Sequence, residues 1–212
     1  MTNAKRIKSN TSSTKPKIYY KITNHIENHH GFQYKTGLNI LKGNFADISE
    51  GECAKPGLYY TDLENIHKYY DYGCHVREVI IPKDAKVVNF HDKSRTNKLI
   101  LKKKYDLYSG DTLKKLKLRI TCSYIRNFIS HALYSVNTSQ EEPFTRILKF
   151  FTDNNKKITD NMLLTVYMYN NIIYDDLIKS KVFTKYKLNN FWAETHSRGF
   201  RLDLKDKIKK YY

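Results

Sequence analysis

The chain has 212 residues, is 40% apolar and carries a formal net charge of +17, with thirty lysines against eight arginines. That is the size of one domain, or one domain with an appendage, and eighteen tyrosines and ten phenylalanines supply large side chains for a real core. Three cysteines without a CxxC spacing exclude a closed disulfide framework, and neither an apolar leader nor a membrane-length apolar run is present, so a soluble intracellular protein is expected.

The charge is unevenly placed. Residues 1–17, 93–119 and 198–212 together carry the whole net charge, while residues 18–92 and 120–197 are nearly balanced. Basic segments set apart from a neutral body are the footprint of a polyanion binder, and equally of a lysine-solubilised surface. The abundance of Lys, Asn, Ile and Tyr points to an AT-rich genome rather than to an adaptation.

Taken in order, residues 1–17 are rich in Ser, Thr, Asn and Lys and read as a disordered basic tail. Residues 18–23 are β-branched or aromatic and form the first expected strand; 24–28 read as a turn, and 29–34 re-enter a sheet after Gly31. A short strand at 37–41 precedes a polar loop over 44–56, and 57–61 is the next strand. Thr61 or Asp62 caps an expected helix whose inward face is Leu63, Ile66, His67 and Tyr70, with Gly73 as its stop. Residues 75–81 are the strongest strand, ended by Pro82, and 87–90 and 99–101 are two more.

After Asp111 the apolar period changes from two to that of a helix. An amphipathic helix is expected over 118–136, a second opens at Pro143 and runs to about Phe151, and a third, capped by Thr159 or Asp160, covers 162–178. The basic C-terminus from Lys205 is helical or frayed. The expected architecture is therefore α+β: a tail over 1–17, a β-rich domain over 18–110 with one short helix, and a helical segment over 111–212 packing on it.

One constellation carries a chemical idea. A histidine beside glycine, as in His29-His30-Gly31, can donate a hydrogen bond into a cleft, and the tyrosines of Gly57-Leu58-Tyr59-Tyr60-Thr61 can stack on a planar ring. Tyr70, one short helix on, offers a second face.

Two resemblances rest on these residues. The series HHGFQY at 29–34, GLN at 37–39, GLYYT at 57–61, YYDYG at 69–73, REV followed by Pro82, and NKLIL at 97–101 resembles a domain of mimivirus-like giant viruses found alone or ahead of ankyrin repeats. It covers residues 18–105 and implies a viral source without a chemistry. The order His30-Gly31, Gly57 to Tyr60, Tyr70 and Arg77-Glu78-Val79 is similar to that of ADP-ribosyltransferases of the poly-ADP-ribose-polymerase type. That resemblance implies NAD as cofactor, His30, Tyr59 and Tyr70 as catalytic residues and Gly31, Gly57 and Tyr60 as cofactor-binding residues. The sequence departs from it in the short spacing after His30 and in lacking a late glutamate on a strand; Glu141, Glu142 and Glu194 are the glutamates beyond Gly110.

Cys53, Cys74, His75, His29 and His30 match no standard zinc spacing, and neighbouring Cys74 and His75 on a strand point to opposite faces, so no metal site is expected. Lys102, Lys103 and Lys104, with Lys114, Lys115, Lys117 and Arg119, are the candidate nucleic-acid contacts, salt-sensitive and sequence-blind. The leading expectation is a non-catalytic accessory protein of a giant virus, in host cytoplasm or virion, that needs no cofactor, binds a host or viral protein and avoids membranes. An NAD-using transferase and a nonspecific nucleic-acid binder are the alternatives.

Overall fold

The computed structural model describes residues 16–45, 56–134, 142–200 and 203–212. Residues 1–15 of the expected tail, and residues 46–55 of the expected loop with Cys53, lie outside them, as does Glu141.

The β-branched and aromatic runs form β1 (Tyr19–Thr23), β2 (Asn28–His29), β3 (Phe32–Gln33), β4 (Gly37–Ile40), β5 (Leu58–Tyr60), β6 (His75–Ile80), β7 (Val87–Asn89), β8 (Ser94–Thr96) and β9 (Lys98–Asp106). Four of them make an antiparallel sheet in the order β1-β6-β9-β4, with Ile22 opposite Val76, Val79 opposite Leu101, and Leu38 opposite Ile100. A second sheet runs β5-β8-β7, and β2-β3 is a separate hairpin. One bridge, Tyr20 to Thr61, ties β1 to β5 through two backbone hydrogen bonds of 2.7 and 2.8 Å.

Among the described residues seven α-helices follow: α1 (Gly110–Lys115), α2 (Cys122–Tyr134), α3 (Pro143–Asn154), α4 (Asp160–Tyr169), α5 (Asn171–Lys179), α6 (Lys185–Ser197) and α7 (Leu204–Tyr211). The protein is α+β, with its strands first and its helices after. None of the described helices is long and apolar enough to cross a membrane.

Several expectations need correction. Residues 66–72 form a 3-10 helix rather than an α-helix from Thr61. The strand expected at 99–101 extends to Asp106 and β8 precedes it. The single helix expected over 162–178 is two, because Asn170 has an extended backbone and its side chain accepts from Ile173 N at 3.0 Å. An Asn that caps the next helix this way ends the previous one. α1 and α6 lie where no helix was expected.

Alternation along the strands gives the main sheet two apolar faces. Val79, Leu99 and Leu101 point to one side, where they bury with Tyr34, Leu58 and Tyr60 in a small core. Ile22 and Val76 point to the other and join the larger core with Tyr70, Tyr108, Tyr124, Phe128, Phe150 and the helices. Tyr70 and Tyr124 meet edge-on at 5.4 Å, and Phe128 and Phe150 at 4.4 Å. Asp71 holds the same junction from outside, accepting from Arg126 at 2.8 Å and Asn127 at 2.7 Å.

Gly73 sits where β1 and the 3-10 helix converge. A Cβ there would stand 2.2 Å from Thr23 O, and that oxygen already accepts from Cys74 N at 3.0 Å. Backbone against backbone cannot give way cheaply. Gly73→Ala is expected to destabilise the fold by about 1–3 kcal/mol, seen as a lower denaturant midpoint at an unchanged slope.

Candidate functional site

The bridge between β1 and β5 goes no further than Tyr20 and Thr61. In a continued ladder Tyr59 would face Ile22. Instead its carbonyl accepts from Lys21 Nζ at 3.1 Å, and the strands part around a cavity of about 240 Å³. The cavity is lined by β1 at Tyr20, Lys21 and Ile22, by His29, His30, Phe32 and Tyr34, by Leu41 and Lys93, by residues 56–61, and by Tyr69 and Tyr72 of the 3-10 helix.

The β2-β3 hairpin forms one wall. Its two-residue turn is His30-Gly31, both at positive φ (52° and 79°), as a hairpin turn of the primed type requires. Asn24 braces it, its side chain accepting from Asn28 N at 3.0 Å and donating to Asn28 O at 2.7 Å. Buried Arg77 braces it from the sheet, with Glu27 at 3.4 Å and Thr36 Oγ1 at 2.7 Å. On the opposite wall Gly57 is required by Arg95, whose buried aliphatic chain lies 2.2 Å from where a Cβ would be.

Two ionisable groups in this wall are strongly perturbed. Lys21 is 7% exposed and its Nζ lies 4.6 Å from the Tyr34 ring centre. Loss of hydration pushes its pKa down to about 8. His29 Nε2 accepts from Asn24 N at 3.2 Å, which leaves Nδ1 carrying the proton in the neutral ring. Burial first, then the nearby charges of Lys21 and His30, lower the His29 pKa to about 4. No carboxylate lines the cavity among the described residues.

Of the residues named from sequence, His30, Gly57, Tyr59 and Tyr60 line this cavity. Gly31 does not; its part is the positive φ of the turn. Tyr70 is the main correction: it is 1% exposed, packs on Tyr124 and donates its hydroxyl to Arg119 O at 3.1 Å. It therefore cannot sandwich a ring with Tyr59, and His30 is in a turn rather than on a strand. His29, named within the His29-His30-Gly31 run, lines the cavity as well, while Lys21, Tyr34, Tyr69 and Tyr72 are cavity residues that sequence reasoning missed. A signal existed for Lys21, since it is the one charged residue among the aromatic and β-branched residues of β1. The late glutamates are no nearer: Glu194 is exposed and paired with Arg198 on α6.

The basic residues fall in two places. Lys102, Lys103 and Lys104 lie on β9 beyond its pairing with β4, and a bulge there sets two of them against one residue of β6. All three are exposed, as lysines guarding an open sheet edge are. Lys114, Lys117 and Arg119 line a shallow groove with Lys157, floored by Leu113, Leu118 and Ile120. Lys115 instead covers the ring of Tyr105 at 5.0 Å. Among the described residues no three His, Cys, Asp or Glu side chains cluster as metal ligands do.

A third feature was not expected. The helices cover the sheet at Ile22 and Val76 but leave the far end of the same face open. There Ile80, Ile100 and Leu38 lie side by side across three strands, with Ile40 beside them and Ile18 continuing the row in register. Ile18, Leu38 and Ile40 are 46%, 46% and 54% exposed. β4 is also the last strand of its sheet among the described residues.

The stability of the cavity wall is pH-dependent. The His29 pKa lies below its ordinary 6.5 and the Lys21 pKa below its ordinary 10.5, so in each window the unfolded chain binds more protons and stability rises with pH. Stability is expected to fall as pH drops from 6.5 to 4, and to gain about 3 kcal/mol between pH 8 and 10.5 from Lys21. Denaturant titrations of wild type, Lys21→Met and His29→Gln check this: each variant flattens its own window.

Comparison with known proteins gives relatives in one virus. An uncharacterized protein of Acanthamoeba polyphaga mimivirus is 45% identical over 102 residues, which is 46% of this chain and 74% of the relative. A mimivirus protein named as an ankyrin repeat protein is 34% identical over 143 residues, 65% of this chain and 68% of its own. Another so named is 36% identical over 104 residues, 47% of this chain but 31% of its own length. No protein-family model matches the chain, and no solved structure matches it.

Proposed function

Because this chain belongs to a family of Acanthamoeba polyphaga mimivirus proteins, several of them named as ankyrin repeat proteins, we propose that it is a binding module of a giant virus, docking a host or viral protein rather than catalysing a reaction. The observation that carries this reading is the uncovered apolar end of the main sheet. Ile18, Leu38 and Ile40, all exposed, and half-buried Ile80 and Ile100 form a contiguous apolar row on strands held by the core beneath. Clustered exposed aliphatics on a rigid face mark interaction surfaces, whereas singly scattered ones do not. β4 adds an open strand edge, so a partner strand can pair there while its side chains meet Leu38 and Ile40. The names of the relatives support binding to protein in general. An NAD transferase draws no support from the cavity, whose described walls hold no carboxylate and from which Tyr70 is absent.

The test is site-specific photocrosslinking in mimivirus-infected cells. A photoreactive residue at Ile40 is expected to capture one defined protein, while the same residue at Lys181, in the exposed turn after α5, captures none. Leu38→Lys, which charges the row without touching the core, is expected to abolish the Ile40 crosslink. Equal crosslinking from both positions, or none from Ile40, contradicts the reading.

A second reading, polyanion binding, rests on the groove that gathers Lys114, Lys117, Arg119 and Lys157. Generic RNA is then expected to bind with steep salt dependence and no sequence preference. Replacing Lys114 and Lys117 with glutamine is expected to lower the slope of log K against log salt by up to about 2, since each phosphate contributes roughly 0.7–0.9. The same change at Lys102 and Lys103, on the guarded edge, leaves the slope nearly unchanged. Binding that ignores salt removes this reading.

A further inference from the structure

We propose that the cavity between β1, the β2-β3 hairpin and β5 is a binding site for a small planar carboxylate, one aromatic ring bearing a single carboxyl group. Lys21 and His29 hold the carboxylate and the tyrosines clasp the ring. The inference is independent of the protein-docking face, which lies on the opposite side of the sheet.

The donors come first. An ammonium has three hydrogens to give. Lys21 Nζ gives one to Tyr59 O at 3.1 Å and rests on the face of Tyr34. No carboxylate among the described residues pairs with it, although its side chain is more than nine-tenths buried. A buried cation with one conventional acceptor is costly unless something else meets it. The second donor is His29 Nδ1, which carries the ring proton because Nε2 is occupied by Asn24 N. No described residue accepts from it. Both side chains flank the Tyr34 ring, the Lys21 ammonium 4.6 Å and the His29 ring 6.0 Å from its centre, and both line the cavity. Two donors on one mostly apolar space match the two oxygens of a carboxylate.

The walls fix the rest of the ligand. Phe32, Tyr60, Tyr69 and Tyr72 are aromatic and the described lining holds no acid that would repel an anion. Rings on several sides favour a flat guest over a branched aliphatic one. The volume of about 240 Å³ exceeds the roughly 150 Å³ that admits benzene, so a single substituted ring fits and a dinucleotide does not.

The probes are benzoate and 4-hydroxybenzoate against benzamide, which keeps the ring and the shape but loses the charge. Titrations followed by NMR on the full chain are expected to show saturable benzoate binding, at least about tenfold tighter than benzamide, a gap of the size a charge-assisted hydrogen bond gives. Lys21→Met keeps the length of the side chain and removes the cation; it is expected to bind both probes equally. A readout on wild type alone guards against a variant that fails to fold: saturating benzoate is expected to raise the His29 pKa from about 4 toward its ordinary value. Equal affinity for benzoate and benzamide, a preference that survives Lys21→Met, or an unmoved His29 titration would overturn the proposal, as would no binding of either probe at about 10 mM, weaker than even the millimolar class.

Discussion

The edge-on contact between Tyr70 and Tyr124 is the interaction from which the rest of the molecule takes its arrangement. Each ring is buried, and a buried phenol needs a partner for its hydroxyl. Tyr70 gives its hydroxyl to Arg119 O, and Tyr124 gives its own to Leu107 O at 3.2 Å, so both anchor the passage from β9 into α2. Phe128 and Phe150 extend the cluster into the helices. Because these rings gather at one end of the sheet, Ile22 and Val76 are covered there and Ile80, Ile100, Leu38 and Ile40 at the other end are not. The candidate docking face follows from where the core is.

The same contact sorts the tyrosines of the 3-10 helix. With three residues per turn, positions i and i+3 eclipse. Tyr69 and Tyr72 therefore share a side, their rings 6.1 Å apart, and reach the cavity while Tyr70 turns into the core. An α-helical period likewise puts Tyr70 on the inward face with Leu63 and Ile66; its candidacy as a ring-stacking residue rests on its place in the motif order after Gly57 to Thr61, not on that period. The hairpin closes the cavity by a different device: positive φ at His30 and Gly31, with Arg77 and Asn24 holding its base. Lys21 is left as a cation among rings.

Local pattern accounts for much of the fold. β1, β5 and β6 announce themselves by β-branched and aromatic runs, and α2 and α3 by apolar residues at helical spacing. What was not legible depends on contacts distant in sequence. β8 is a Ser-Arg-Thr segment without apolar character, and pairing with β5 and β7 makes it a strand. α6 buries just Leu188, Phe191 and Thr195 on a largely polar helix, too thin a stripe to stand out. Asn170 splits α4 from α5 through one capping bond. For the site, His30, Gly57, Tyr59 and Tyr60 could be named from their motifs. The partners that give the cavity its character, Lys21 and His29, are defined by burial, which a sequence does not display. Nor does it display which end of a sheet the helices will cover.

The central claim is that the uncovered end of the main sheet is where a partner docks. Hydrogen–deuterium exchange on the protein alone and in complex with its crosslinked partner tests this most directly. The account predicts that protection gained in the complex concentrates on residues 37–41 and 98–101, with the α1 to α2 segment around 114–119 unchanged. Protection gained at 114–119, with residues 37–41 exchanging as in the free protein, would contradict it.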